Sequence, residues 1–374
     1  MDGRAKPGHE RVWGLALTDK QDILFARDGG VGTVLLNRPK ALNAFTMGMY
    51  RRLEPTLHEW AADPQIHAVL IEGAGDRAFC AGGDVRKVYE AGKGISGDPD
   101  FTAVFFAEEY RIILGIHRYP KPYIAIIDGI TMGGGAGVSV NGAYRVATEE
   151  TMFAMPETGI GLFPDVGATR FLNLCPGHIG GYLGLTGARL GAADALYCGF
   201  ATHFAPRGRV AELKQELAGL AWESGKEAAQ VEELLGRFTA DAGPSPLAAR
   251  RVIIDRCFGH DRIEAILDAL RAETEDSDWA RETHAALLSK SPTSLRVTLH
   301  QLVLGQGMDL EEALKLEYRL TQHFMAAHDF YEGIRAVLVD KDQKPLWRPS
   351  TLAEVDEAMT AAYFTSLGER ELTF

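Results

Sequence analysis

Apolar and polar positions alternate along the first half of the chain in short bursts, and along the second half at helical spacing. Residues 22–37, DILFARDGGVGTVLLN, place two apolar runs on either side of Asp28-Gly29-Gly30. This is the pattern of a β-hairpin whose turn needs positive φ. TMGMYRRLEPTLHEWA (46–61) then carries apolar residues at helical spacing, with Pro55 expected to kink or interrupt it. HAVLIEGAG and YIAIIDG read as strands, and YRVATEETMFAMPE adds one or two more. Strands alternating with helices across glycine-rich turns predict an α/β architecture with a largely parallel sheet. Beyond about residue 205 the character changes. RVAELKQELAGLAWES, AAQVEELLGRF, RIEAILDALRAE, WARETHAALLS and LEEALKLEYRLTQHFMA all carry the i, i+3, i+4 spacing of amphipathic helices. Pro244 and Pro246 in DAGPSPLAA mark a loop between helices. The expected division is therefore 1–205 and 206–374.

Composition narrows the functional classes. The 374 residues are 46% hydrophobic, enough to fill a sizeable core, and their formal charge of −12 opposes a nucleic-acid partner. Cys80, Cys175, Cys198 and Cys257 are widely spaced, without a C-x-x-C pair, so neither a disulfide framework nor a metal site is expected. His323 and His328, at i, i+5, miss the spacing that sets two ligands on one helical face. The opening MDGRAKPGHERVWGLALTDKQD lacks the apolar core of a signal peptide and carries acids that an organelle presequence avoids. No stretch approaches the roughly 20 apolar residues of a membrane span. The expectation is a cytoplasmic protein.

Two glycine clusters stand at strand-to-helix junctions: Ala81-Gly82-Gly83-Asp84 in AFCAGGDVRKVYE, and Gly133, Gly134 and Gly135 in IAIIDGITMGGGAGVSVNG. Such junctions either make tight turns or let a ligand approach the backbone, where the first helical N–H groups are free to meet negative charge. The spacing does not fit a dinucleotide fingerprint or a phosphate loop, and Ser139 lacks the elbow of serine hydrolases. Between Met152 and Leu174 only Glu157, Asp165 and Arg170 carry charge. Acids in so apolar a stretch are paired, exposed or functional, because an unpartnered buried carboxylate is costly. Eight residues of extended chain would separate the two acids by about 26 Å. Gly159, Gly161 and Pro164 permit a fold-back.

FCAGGD, DGITMGGGAG and FAMPETGIGLFPDVG, in that order, together with NRPKALNAF, GLTGARL, SPTSLRVTL and HDFYEGIRAVL, resemble the crotonase (enoyl-CoA hydratase/isomerase) superfamily over almost the whole chain. The resemblance implies an α/β, crotonase-like spiral of β-β-α units over 1–205, with a helical C-terminal region over 206–374 that covers its own active site or a neighbour's. It implies an oxyanion hole made by the backbone N–H groups of Gly83 and Gly134. Coenzyme A, as part of the substrate and not as a cofactor, would lie across the loops near NRPKALNAF and AFCAGGD. The substrate would then meet Ala81, Gly82, Asp84 and Gly133, although Asp84 at a helix start is first of all a cap. Glu109 in FFAEEYRIILGIH matches an acid near the substrate's 3-hydroxyl, or else is a solvated position on an amphipathic helix.

Hydratases of the superfamily use two glutamates. Here the first position is Gly137, the second is kept as Glu157, and Asp165 appears where hydratases carry a small residue. The resemblance is thus to the branch that hydrolyses acyl-CoA thioesters with a short, branched 3-hydroxyacyl group, as in valine breakdown. In that reading Glu157 attacks the carbonyl or deprotonates water, and Asp165 orients the water or shares a proton. An enoyl-CoA hydratase or Δ3,Δ2-enoyl isomerase is the enzymatic alternative, and a non-catalytic acyl-CoA-binding scaffold the alternative of another class. No metal, membrane or nucleic-acid partner is expected, and a homo-oligomer is left open.

Overall fold

The computed structural model describes residues 21–95 and 98–374. Its strands in chain order are β1 (Ile23–Asp28), β2 (Val31–Leu36), β3 (Ala68–Gly73), β4 (Ala78–Cys80), β5 (Tyr123–Ile127), β6 (Ile130–Met132), β7 (Tyr144–Ala147), β8 (Met152–Ala154) and β9 (His203–Phe204). Helices α1 (Met47–Ala62), α2 (Val85–Gly92), α3 (Phe101–His117), α4 (Gly134–Val140) and α5 (Ala168–Phe171) intervene. Then come α6 (Ile179–Thr186), α7 (Ala192–Tyr197), α8 (Val210–Ala218), α9 (Glu227–Phe238), α10 (Pro246–Phe258), α11 (Ile263–Ala272) and α12 (Ser277–Leu288). The last are α13 (Pro292–Leu304), α14 (Leu310–Met325), α15 (Asp329–Ile334) and α16 (Glu357–Ala362).

The expected hairpin forms, with Asp28 opposite Val31 and β1 antiparallel to β2. From β2 onward every pairing is parallel: a six-stranded sheet in the order β1-β2-β3-β5-β7-β9, and a three-stranded sheet in the order β4-β6-β8. The two orders reveal a repeat. β3 and β4, β5 and β6, and β7 and β8 are successive pairs, each giving its first strand to the large sheet and its second to the small one before the chain turns into a helix. This is a spiral of β-β-α turns.

Side-chain alternation sets the layers. Val31, Ala68, Leu70, Ile124, Ile126 and Val146 face Leu213, Leu217, Val231, Leu234 and Leu235 of α8 and α9 on one side of the large sheet. Their neighbours, among them Val34, Val69, Ile71, Ala125 and Ile127, face a second core that runs without interruption into the C-terminal helices. The four cysteines are buried and free. No helix is long and apolar enough to cross a membrane among the described residues.

Two expectations are corrected. α1 runs unbroken through Pro55, which lies on its exposed face, where the carbonyl that loses its partner meets solvent. Pro246 does not sit in the loop but opens α10, where its missing N–H costs nothing and the Ser245 side chain caps the helix.

Candidate active site

The small sheet explains why three distant motifs meet. β4, β6 and β8 are parallel, with a register shift between Ala78 and Cys80, and Cys80 stands beside Thr131 and Met132 beside Ala154, so their C-terminal ends share one edge. Ala81–Asp84, Gly133–Gly134 and Met155–Glu157 all leave the sheet there. A β-carbon on Gly134 would lie 3.3 Å from the Gly83 nitrogen, and one on Gly82 would lie 3.6 Å from the Gly134 nitrogen. The Gly83 and Gly134 N–H groups donate to no acceptor among the described residues. Gly133, at φ 48, makes the turn that aims them, a conformation costly for a residue with a side chain.

Around this junction stand carboxylates. A β-carbon on Gly133 would lie 3.4 Å from Glu157 Oε1, and one on Gly134 would lie 2.5 Å from Glu109 Oε1 and 3.1 Å from the Tyr50 hydroxyl. Glu157, the first residue of the 3-10 turn Glu157–Ile160, is 5% exposed, and its Oε2 is buried with no hydrogen-bond partner. Glu109, on α3, is 2% exposed and accepts from the Tyr50 hydroxyl at 2.5 Å, so the alternative of a solvated helix position is overturned. Asp165 is 5% exposed and its Oδ2 accepts from the Tyr110 hydroxyl at 2.8 Å. The chain between Glu157 and Asp165 folds back through Gly161, at φ 71, so the acids are near enough for the charge on Asp165 to act on Glu157.

Among the described residues no cation is an influence on these acids; burial, other carboxylates and hydrogen bonds are. Burial raises all three, but unequally. Asp165 is pushed up to about 6, held down by Tyr110 and its own backbone N–H. Glu109 rises to about 8 through burial and the charge of Asp165, and burial with the same charge lifts Glu157 well above the usual carboxylate range. Asp165 therefore ionises before Glu109.

Val166, beside Asp165, has φ 60, a strained conformation for a β-branched residue that costs on the order of 1–3 kcal/mol. Strain of this kind persists only where neighbours over-determine the backbone. Asn141 Nδ2 donates to the carbonyls of Gly137 and Val166 at 2.9 and 3.1 Å. Gln301 Nε2, from α13, donates to the Pro164 carbonyl at 2.7 Å.

Gly137 is not an empty position. A β-carbon there would lie 2.7 Å from Ile113 Cδ1 and 2.8 Å from Val166 Cβ, so apolar atoms fill the space an acid would need. Asp84 caps α2, accepting from the Lys87 N–H, and pairs with Arg38 at 3.1 Å. Ala81 donates its N–H to the Leu42 carbonyl at 2.9 Å, which ties the AFCAGGD loop to NRPKALNAF. His323 and His328 lie apart in function: one contacts the Thr365 carbonyl, the other Asp329. No group of His, Cys, Asp and Glu able to hold a metal ion occurs among the described residues.

Four residues of the site were not anticipated from sequence: Tyr50, Tyr110, Gln301 and Glu317. Glu317 is 0% exposed on α14, and its signal was available, since it falls in the apolar stripe Leu310, Ala313, Leu314, Leu320 and Phe324. Tyr50 and Tyr110 gave none, because a buried tyrosine on a helix reads as core.

Comparison with known proteins places these features. Residues 31–364 match the family model described as enoyl-CoA hydratase/isomerase. The chain is 46% identical over 367 residues to the mitochondrial 3-hydroxyisobutyryl-CoA hydrolase of Danio rerio, covering 97% of this chain and 95% of that protein. It is 44% identical to the human protein of the same name, over 95% of this chain and 91% of the other. Among solved structures, a carnitinyl-CoA dehydratase from Mycobacterium thermoresistibile superposes with a TM-score of 0.87 at 42% identity, over 95% of this chain and 99% of that one. An enoyl-CoA hydratase from Rhodobacter sphaeroides gives 0.85 at 37%, over 95% and 100%. The expectation of a cytoplasmic protein is corrected by these relatives, which are named as mitochondrial. That expectation rested on the opening segment, of which residues 1–20 lie outside the described residues. With the β-β-α spiral, the paired glycine junctions and the family match running through nearly all of it, the chain belongs to the enoyl-CoA hydratase/isomerase family.

Proposed function

We propose that this protein hydrolyses acyl-CoA thioesters, with 3-hydroxyisobutyryl-CoA as its substrate, a step of valine breakdown. The region 1–205 carries the catalytic spiral in its described residues, and 206–374 is its helical cover. The observation that carries the reading is Glu157: a buried carboxylate with one unpartnered oxygen, facing the donor glycines, with a second acid, Asp165, folded back beside it. The names of the relatives support the substrate.

Hydrolysis needs three things at the thioester. The Gly83 and Gly134 N–H groups stabilise the carbonyl oxygen as it becomes an oxyanion, each donor being worth about 3 kcal/mol in comparable sites. The carboxyl pair supplies the rest. Asp165 is raised to about 6, and burial with the charge of Asp165 lifts Glu157 well above the usual carboxylate range, so mutual repulsion favours a pair that shares a proton. One carboxylate is then free to receive the proton of the attacking water and one carboxyl is able to return a proton to the leaving sulfur. Glu109, beside Gly134, meets the 3-hydroxyl of an acyl group whose carbonyl is held there, and Ala81, Gly82, Asp84 and Gly133 line the approach of coenzyme A. No metal or redox cofactor enters this chemistry.

The two solved neighbours are described as a dehydratase and a hydratase, which makes hydration the competing reaction. Addition of water across a double bond asks for a second acid at 137, and here Ile113 and Val166 occupy that space. The test is a paired assay. Release of free thiol from 3-hydroxyisobutyryl-CoA, with no loss of enoyl absorbance from crotonyl-CoA, is the expected result. Loss of enoyl absorbance without free thiol would overturn the proposal in favour of hydration.

A further inference from the structure

The turn that carries Asp165 is held from outside the spiral. Glu317, in the middle of α14, reaches it with both carboxylate oxygens: Oε2 accepts from the Gly167 N–H at 2.7 Å and Oε1 from the Thr169 N–H at 2.8 Å. These N–H groups flank the start of α5, immediately after Asp165 and the strained Val166. Gln301 of α13 completes the grip, donating to the Pro164 carbonyl at 2.7 Å and the Thr169 hydroxyl at 2.8 Å. Glu317 is 0% exposed and pairs with no lysine or arginine among the described residues. A buried carboxylate without a counter-charge is a poor stabiliser, and an apolar residue would pack the same stripe at lower cost. Its presence there calls for another reason, and its two bonds name one.

We propose that Glu317 is a positioning residue for Asp165. By gripping the Gly167 and Thr169 N–H groups it holds the positive-φ turn at Val166 in the arrangement that turns Asp165 back toward Glu157 and Tyr110. The helical C-terminal region thereby sets the geometry of the reacting acids, although no residue of α14 touches the substrate in this role. The inference rests on the hydrolase reading, in which Asp165 acts in the chemical step.

A double-mutant cycle separates positioning from bulk stability. Thiol release from 3-hydroxyisobutyryl-CoA and thermal unfolding are measured for wild type, Glu317→Gln, Asp165→Asn and the double variant. Glu317→Gln is expected to lower kcat by about tenfold or more with KM within about twofold, since the amide can accept only one of the two N–H groups. In the Asp165→Asn background the same change is expected to alter kcat by less than about twofold, while the loss of Tm is the same in both backgrounds. If Glu317→Gln lowers the yield of folded protein, Glu317→Asp, which keeps the carboxyl group on a shorter stem, carries the same cycle. Equal kcat losses in both backgrounds, or wild-type kcat in the single variant, would overturn the positioning role and leave the hydrolase reading standing. Wild-type kcat in Asp165→Asn would remove Asp165 from the chemical step and the positioning role with it, whereas no thiol release from the wild type would overturn the hydrolase reading.

Discussion

Tyr110 is the residue on which the division of labour between the acids turns. Its hydroxyl bond to Asp165 lowers a carboxyl that burial alone would push higher, so that Asp165 titrates near pH 6, below Glu109 at about 8. Hydrolysis that needs one ionised carboxyl rises with pH through that value. In Tyr110→Phe the bond is gone, the Asp165 carboxyl rises, and the acid limb of the kcat profile is expected to move to higher pH; an unmoved limb would detach it from Asp165. At this scale sequence was informative where a charge breaks an apolar context. Glu157 and Asp165 stood out for that reason. Glu109 was ambiguous, because an acid in a helix with apolar residues on several faces has two readings until the partner, Tyr50, is in place. Glu317 left a signal, its place in the apolar stripe of α14, but the other charges of that helix masked it.

Elements bring the chemistry together through one topological fact: three short parallel strands end at one edge, and each is followed by a glycine or an acid that matters. The strands were legible as apolar runs bounded by glycine, but their division between two sheets was not, since local pattern does not encode which strands pair. α13 was missed as a helix because Ser294, Thr298 and Gln301 occupy its buried face and blur the periodicity. α4 shows how close packing selects the reaction. Gly137→Glu is expected to place a side chain into Ile113 and Val166 and to destabilise the fold by about 1–3 kcal/mol or more, by overpacking. Thermal unfolding checks the stability loss, and an enoyl absorbance assay should show no gain of hydratase activity; a stable variant that hydrates crotonyl-CoA would contradict the assignment of this position.

For the whole molecule the buried acids link stability to pH. Glu109 and Glu317 are each raised by burial to about 8, far above their ordinary value in the unfolded chain. A group raised on folding binds protons more tightly in the native state, so the stability it contributes is full below its unfolded pKa and is lost as pH rises through the folded one. Thermal stability is expected to fall between about pH 5 and pH 9, and to fall less steeply in Glu109→Gln; a parallel fall in the variant would deny that linkage to Glu109. The continuous core between the spiral and the C-terminal helices means that such losses are felt across the fold, and this continuity was beyond reach of a sequence that changes character so sharply near residue 205.

The central claim is that Glu157 acts at the thioester. Its most direct test is the rate of thiol release from 3-hydroxyisobutyryl-CoA by Glu157→Gln, with the fold verified by unfolding temperature. A loss of about a thousandfold is expected, the size of a missing acid-base group, in a protein that remains folded. An unchanged rate would contradict it and favour a non-catalytic scaffold with some other source for the activity.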